Sequence, residues 1–186
     1  MTERRFGHGH APVYRVVQAR WRDPLDTSYS RSKPDQRWNT ADFPALYCCC
    51  SVGVARAVAL DRFRIAGIEL DDLQSDLRPQ LTEIEWRGEV VDMVTEGGLT
   101  AAGFPSDYPR AVDRATTRSV AERWHTSGAE GVCTRSASLM RRGLTTWSGD
   151  HRRYGELAIW VQNARTKPVL RRRRTGHRWL RARAAR

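Results

Sequence analysis

An α+β domain, with a mixed β-sheet core and flanking helices, is the fold class this sequence predicts, and three observations predict it. Apolar residues alternate with polar ones over 80–86 (QLTEIEW), the period of a half-exposed strand, and 156–161 (ELAIWV) is a short, nearly continuous apolar run of strand length. Two longer segments, about 52–63 and 109–124, have helical patterning with their own start or stop residues. Strands and helices do not alternate regularly, which argues against a doubly wound parallel sheet. The length of 186 residues suits one domain able to bury a real core.

Taken in order, residues 1–11 are polar, rich in Gly and His, and expected to be loose; His8 and His10 lack the further ligands a metal would need. The run 13–17 (VYRVV) has strand composition. Arg15 there projects to the face opposite Tyr14 and Val16, either into a pocket or to water. Residues 22–36 form a polar loop of the kind that often carries function, and it delivers the chain to Gln36-Arg37-Trp38-Asn39. After Pro44 and Leu46 comes an apolar run read as a strand, holding Tyr47 and Cys48-Cys49-Cys50. Ser51 is suited to take up a free N–H at the start of the helix over 52–63, and Gly67 to stop it. Val54 and Val58, with Ala55 and Ala57 on an adjacent edge, give that helix its apolar face. The runs 80–86 and 90–94 read as strands, and Gly97-Gly98 and Gly103-Phe104-Pro105 break the pattern. A second helix is expected over about 109–124, with Ala111, Ala115, Val120 and Trp124 on overlapping faces and Gly128 after it. Residues 130–138 read as a strand that delivers Ser136, and 156–161 as the clearest strand in the chain. Trp38, Trp124 and Trp160 are expected in the core or a pocket wall.

Net charge is +11, yet ten basic residues and no acidic one fall within 165–186, leaving 22 basic against 21 acidic side chains in the first 164. The body is therefore electrostatically ordinary and the basicity belongs to the tail. That tail reads as solvated and disordered, with attraction to nucleic-acid phosphates or an acidic partner as the other readings. Three of the four cysteines are adjacent and Cys133 is remote, which fits neither a disulfide framework nor a zinc spacing. They are expected to be reduced and packed, with no metal. No run of about 18 apolar residues exists to span a membrane, and no apolar leader follows Met1, so the expected location is the cytoplasm.

The segment around Arg37 sets an arginine, an indole and an amide side by side, with a tyrosine ten residues beyond the arginine. It reads either as a ligand cluster or as a buried tryptophan in a turn. The order Arg37-Trp38-Asn39, Pro44-Ala45-Leu46-Tyr47, Ala121-Glu122-Arg123-Trp124 with Gly128 and Gly131, Arg135-Ser136-Ala137, and Leu157-Ala158-Ile159-Trp160 with Asn163 resembles the RES family, over about Pro12 to Asn163, within an expected domain of residues 12–164. The resemblance implies an ADP-ribosyltransferase-like fold and a toxin of a toxin–antitoxin system. It implies NAD as substrate, cleaved between nicotinamide and ribose by water or phosphate, and an Xre-type helix-turn-helix antitoxin that blocks the site.

On that resemblance, Arg37 is matched to the NAD pyrophosphate, whose oxygens suit a planar guanidinium. Tyr47 offers a face to nicotinamide, Ser136 holds the nicotinamide riboside end, and Trp38, Asn39 and Arg15 complete the binding set. Cleavage passes through a cationic sugar and calls for a carboxylate beside the ribose. The family's glutamate, on the helix after the tyrosine, falls at Val58. Asp61 lies one turn further on the same face and is the nearest stand-in, with Glu122 and Glu130 as remoter ones. Asp35-Gln36 stands where the family has two glycines before the motif, and Ala41 or Asp42 where it has one after, which bears on the loop's conformation. Three readings follow: an NAD-cleaving toxin, impaired if nothing replaces the glutamate; a catalytically degenerate RES fold that binds a partner; and a nucleic-acid-associated protein acting through its basic tail.

Overall fold

The computed structural model describes residues 3–9, 11–144, 146–147, 149–174 and 178–181. The chain runs through β1 (Arg5–His8), β2 (Val13–Gln18), α1 (Ser28–Ser32), β3 (Ala45–Cys49), α2 (Val52–Ala66), β4 (Pro79–Glu85), β5 (Gly88–Met93), α3 (Glu96–Ala102), α4 (Arg114–Thr126), β6 (Gly131–Arg135), α5 (Ala137–Arg141), α6 (His151–Tyr154), β7 (Gly155–Trp160), β8 (Val169–Arg174) and α7 (Arg178–Arg181). The described strands form one mixed sheet in the order β1-β5-β6-β7-β3-β2-β4-β8, and only the β5–β6 pair is parallel. This is the expected α+β arrangement of a mixed sheet with flanking helices. Among the described residues no helix is long and apolar enough to cross a membrane.

Local chemistry places the elements that matter most for the centre of the sheet. Ser51 caps α2 by accepting the Val54 N–H at 3.3 Å, and Gly67 ends it with φ of 64°, a left-handed turn that suits glycine. Asp113, accepting the Thr116 N–H at 2.6 Å, starts α4 at Arg114 rather than near residue 109. The strand expected over 130–138 ends at Arg135, because Ser136 accepts the Leu139 N–H and opens α5 instead. Gly131 lies so close to β7 that a Cβ there would stand 2.4 Å from the Ala158 carbonyl oxygen.

Two expectations about the ends of the chain need correction. Residues 5–8 are not loose: they form β1 on β5, with Phe6 packed on His151 at 3.8 Å between ring centroids and His8 buried near Trp86. The pairing comes from a partner strand distant in sequence, which a polar composition does not reveal. His10 lies outside the described residues. Nor is all of 165–186 a solvated tail. β8 adds to β4, where Glu83 and Glu85 meet the arginines: Arg172 and Arg174 pair with Glu83 and Arg171 with Glu85. Arg173 donates to the Trp21 and Arg22 carbonyls. In α7, Trp179 and Leu180 are buried against α2, and Arg56 Nε donates to the Trp179 carbonyl at 2.7 Å.

Apolar side chains fill both faces of the sheet. On one, Ala45, Val132, Ala158 and Trp160 meet Trp38, Val120 and Trp124, with the Trp38 and Trp124 rings stacked at 5.9 Å. On the other, Leu46, Cys48, Cys50, Leu157 and Ile159 pack with Trp86. All four cysteines are free and buried. Cys50 and Cys133 sulfurs lie 3.6 Å apart, and among the described residues no group of His, Cys, Asp and Glu is arranged to hold a metal.

Candidate active site

A cavity of about 390 Å³ opens over the middle of the sheet. Strand register sets its floor. Tyr47 lies opposite Ala158 and Cys49 opposite Glu156 across β3–β7, while Thr134 lies opposite Glu156 across β6–β7. Paired residues share a face of a pleated sheet, so Tyr47, Cys49, Thr134, Glu156 and Ala158 come up together into the cavity. One turn-bearing wall is α2, contributing Val58 and Arg62; the rim comes from residues 33–38 and 108–114.

The loop that carries Arg37 is held by a buried network rather than by glycines. Asn39, fully buried, donates through Nδ2 to the Ser30 carbonyl at 2.7 Å and the Lys33 carbonyl at 3.3 Å. The Tyr47 hydroxyl donates to Asn39 Oδ1 at 2.7 Å and accepts the Trp38 N–H at 3.1 Å. Trp160 Nε1 donates to the Trp38 carbonyl at 2.8 Å. Burial pushes the Tyr47 phenol well above its usual range, so it stays a neutral donor. At the end of this scaffold Arg37 faces the cavity, tied by Nη1 to the Val112 carbonyl at 3.0 Å.

Cations outnumber acids around the cavity, where Lys33, Arg37, Arg62, Arg114 and Arg135 stand against Asp35 and Glu156. Arg135 is committed to structure, bonding the Val94 and Ser106 carbonyls and Glu96. Arg114 shares an exposed ion pair with Asp35 at 3.6 Å. Arg37 and Arg62 have no carboxylate partner within ion-pair distance among the described residues, which leaves them free for an anion.

The sequence-predicted residues divide by position. Arg37, Trp38 and Tyr47 line the cavity. Asn39 and Ser136 are fully buried behind its wall; they hold neighbours in place and are not placed to touch a ligand directly. Arg15 is buried and bonded to the Pro24 and Asp26 carbonyls at 2.7 and 3.1 Å. It lines a second cavity of about 390 Å³, which shares Val16, Tyr29, Gln36, Tyr47 and Arg62 with the first. Asp61, the expected stand-in for the missing glutamate, points away into a knot with Arg141 at 2.5 Å, Arg64 at 3.1 Å and Ser138 at 3.2 Å. Burial raises its carboxyl, but those partners outweigh burial and keep it below the usual carboxylate range. Glu122 is exposed on α4. Glu130 accepts the backbone N–H groups of Glu89 and Arg165, away from the cavity.

One residue that sequence reasoning passed over is Glu156. Its carboxyl reaches the cavity floor, where Ser136 Oγ donates to Oε1 at 2.6 Å. Burial pushes its pKa up, opposed by the Ser136 hydroxyl, by Arg62 and Arg141, and by the Ser138 N–H. The signal was present in the strand over 156–161, whose alternation sets Glu156 on the same face as Ala158 and Trp160.

Comparison with known proteins bears on the family and the fold. The model of a family described as RES domain matches residues 12–164. The fold is similar to that of a chain in the solved M. tuberculosis MbcT–MbcA toxin–antitoxin complex, with a TM-score of 0.68 and 22% sequence identity, covering 89% of this chain and 83% of that one. No curated protein matches.

Proposed function

The chain belongs to the RES domain family, and from that premise we propose that it is the toxin of a toxin–antitoxin pair, binding NAD and cleaving its nicotinamide–ribose bond with water or phosphate as acceptor. The observation that carries this reading is the cavity over β3 and β7, where Arg37 and Arg62 face open space above an aromatic floor with no carboxylate within ion-pair distance among the described residues. A dinucleotide's pyrophosphate is the kind of group that two unpaired guanidinium groups recognise, and the Tyr47 ring gives nicotinamide a flat surface. Asn39 serves by fixing the loop, and Ser136 by holding the floor.

The reading extends to location and partner. The cytoplasm supplies NAD. Because the fold resembles one solved as a toxin–antitoxin complex, an antitoxin of the Xre helix-turn-helix type, seated over the cavity mouth, is the expected partner. The nucleic-acid reading loses ground, since the β8 arginines are paired to Glu83 and Glu85.

Purified protein incubated with NAD should release nicotinamide, read by chromatography. Arg37→Ala should weaken NAD binding by roughly 10-fold or more, the loss of about 1.4 kcal/mol or more of charge-assisted bonding. Absence of NAD binding in the parent protein would refute the reading. Binding without release in the parent, with release regained in Val58→Glu, would identify a degenerate RES fold instead.

A further inference from the structure

We infer that Glu156 is the catalytic carboxylate of this site, presented to the ribose from the sheet floor instead of from the helix position that Val58 occupies. The inference rests on the NAD-cleaving reading above and adds the residue that performs its chemistry. Val58 and Glu156 line the same cavity from two sides, the first from α2 and the second from β7. Valine can neither carry charge nor accept a hydrogen bond, so the helix wall offers the ribose no carboxylate. Every other acid considered is removed by geometry. Asp61 is consumed by Arg141 and Arg64, Glu130 by backbone N–H groups, and Asp35 sits at the rim in an ion pair with Arg114.

Glu156 is built in, not incidental. Its backbone is fixed by pairing to Cys49 on one side and Thr134 on the other, and its carboxyl is aimed by the Ser136 hydroxyl at 2.6 Å. Such support holds a side chain in one orientation. It also explains Ser136, which is fully buried and caps α5 through the same oxygen: it is a positioning residue that acts through Glu156. The nearby Arg62 and Arg141 favour the ionised carboxyl against the cost of burial.

The step balances as follows. The bond from ribose C1′ to the nicotinamide ring nitrogen breaks, and its electron pair leaves with neutral nicotinamide. Positive charge develops on C1′ and the ring oxygen, where the Glu156 carboxylate stabilises it. A water oxygen forms the new bond to C1′ while its proton passes to Glu156 and then to solvent. NAD and water thus give nicotinamide, ADP-ribose and one proton.

The test uses the full chain and two separate readouts, NAD affinity by calorimetry and nicotinamide release by chromatography. Glu156→Gln keeps the size of the side chain and an acceptor for Ser136, and its thermal melt checks that it folds. It is expected to bind NAD within about threefold of the parent and to release nicotinamide about 100-fold more slowly or worse, the usual scale for losing a proton-transfer group. Release by Glu156→Gln at close to the parent rate would overturn the assignment and leave the NAD reading intact. A parent that binds NAD but releases no nicotinamide would also overturn it. A parent that fails to bind NAD would refute the underlying reading itself, and this one with it.

Discussion

Replacing Tyr47 with phenylalanine isolates what holds the Arg37 loop. The ring that floors the cavity stays, and only the hydroxyl goes. That hydroxyl makes two bonds, to Asn39 Oδ1 at 2.7 Å and from the Trp38 N–H at 3.1 Å, and both partners are buried. Leaving a buried donor or acceptor unmet costs about 1–3 kcal/mol each, less where cavity water can reach it. Taking the lower half of that range for both groups gives a loss of about 2–4 kcal/mol. For a domain of this size each kcal/mol moves the melting temperature by about 2–4 °C, so calorimetry should record a fall of roughly 4–16 °C. Because Arg37 immediately precedes Trp38 in the chain, NAD affinity should fall too, by about 10-fold, one power of ten in the binding constant. A melting temperature within about 2 °C of the parent, or undiminished NAD affinity, would refute the view that this hydroxyl ties the loop.

Three further outcomes follow from the same contacts. Burial raises the Glu156 pKa in the folded protein, so its contribution to stability is present below the unfolded pKa and is lost as pH rises through the folded one; Glu156→Gln should therefore melt higher than the parent at pH 7 while losing activity, and a lower melt would contradict this. Burial also pushes Asp92 up, but His151, Thr95 and the Val94 and Thr95 N–H groups outweigh it and hold the carboxyl far below the usual range. Its stabilisation is present above the unfolded value and is lost as pH falls below about 4, so Asp92→Ala should cost about 3 kcal/mol at pH 7 by denaturant unfolding and flatten the acid limb. Trp179→Ala, which removes a buried indole from the α2 face, should destabilise by about 3–5 kcal/mol; a change under about 0.5 kcal/mol, the range for exposed residues, would mean that 178–181 is solvated after all.

How far the sequence reached depended on whether the signal was local. The caps of α2 at Ser51 and Gly67, the alternation in β4, and the apolar, strand-forming runs of β2 and β7 are written in adjacent residues, and the structure has them. The elements misread are those whose stabilising partner is far along the chain. β1 depends on β5, and β8 depends on the acids of β4, more than 80 residues earlier, so an arginine run that looks solvated alone becomes a paired strand. The same limit separated the residues of the Arg37 cluster. Two residues apart in sequence, Arg37 and Asn39 face opposite ways: one into the cavity, the other into the network beneath it.

The carboxylate question shows the limit most sharply. Reading along α2 for a replacement finds Asp61, because an interval of three residues preserves the helix face. Face alone does not decide the matter, since that part of α2 looks onto α5, where Arg141 and Ser138 capture the carboxyl. What the reaction needs is a charge at one point in space beside the ribose, and a cavity has several walls from which that point can be reached. Across the register Cys49–Glu156–Thr134 the sheet reaches it from below, with a serine already in place to aim the group. A substitution at Val58 that would silence the helix wall therefore does not silence the cavity, so long as β7 keeps its pairing and Ser136 its bond.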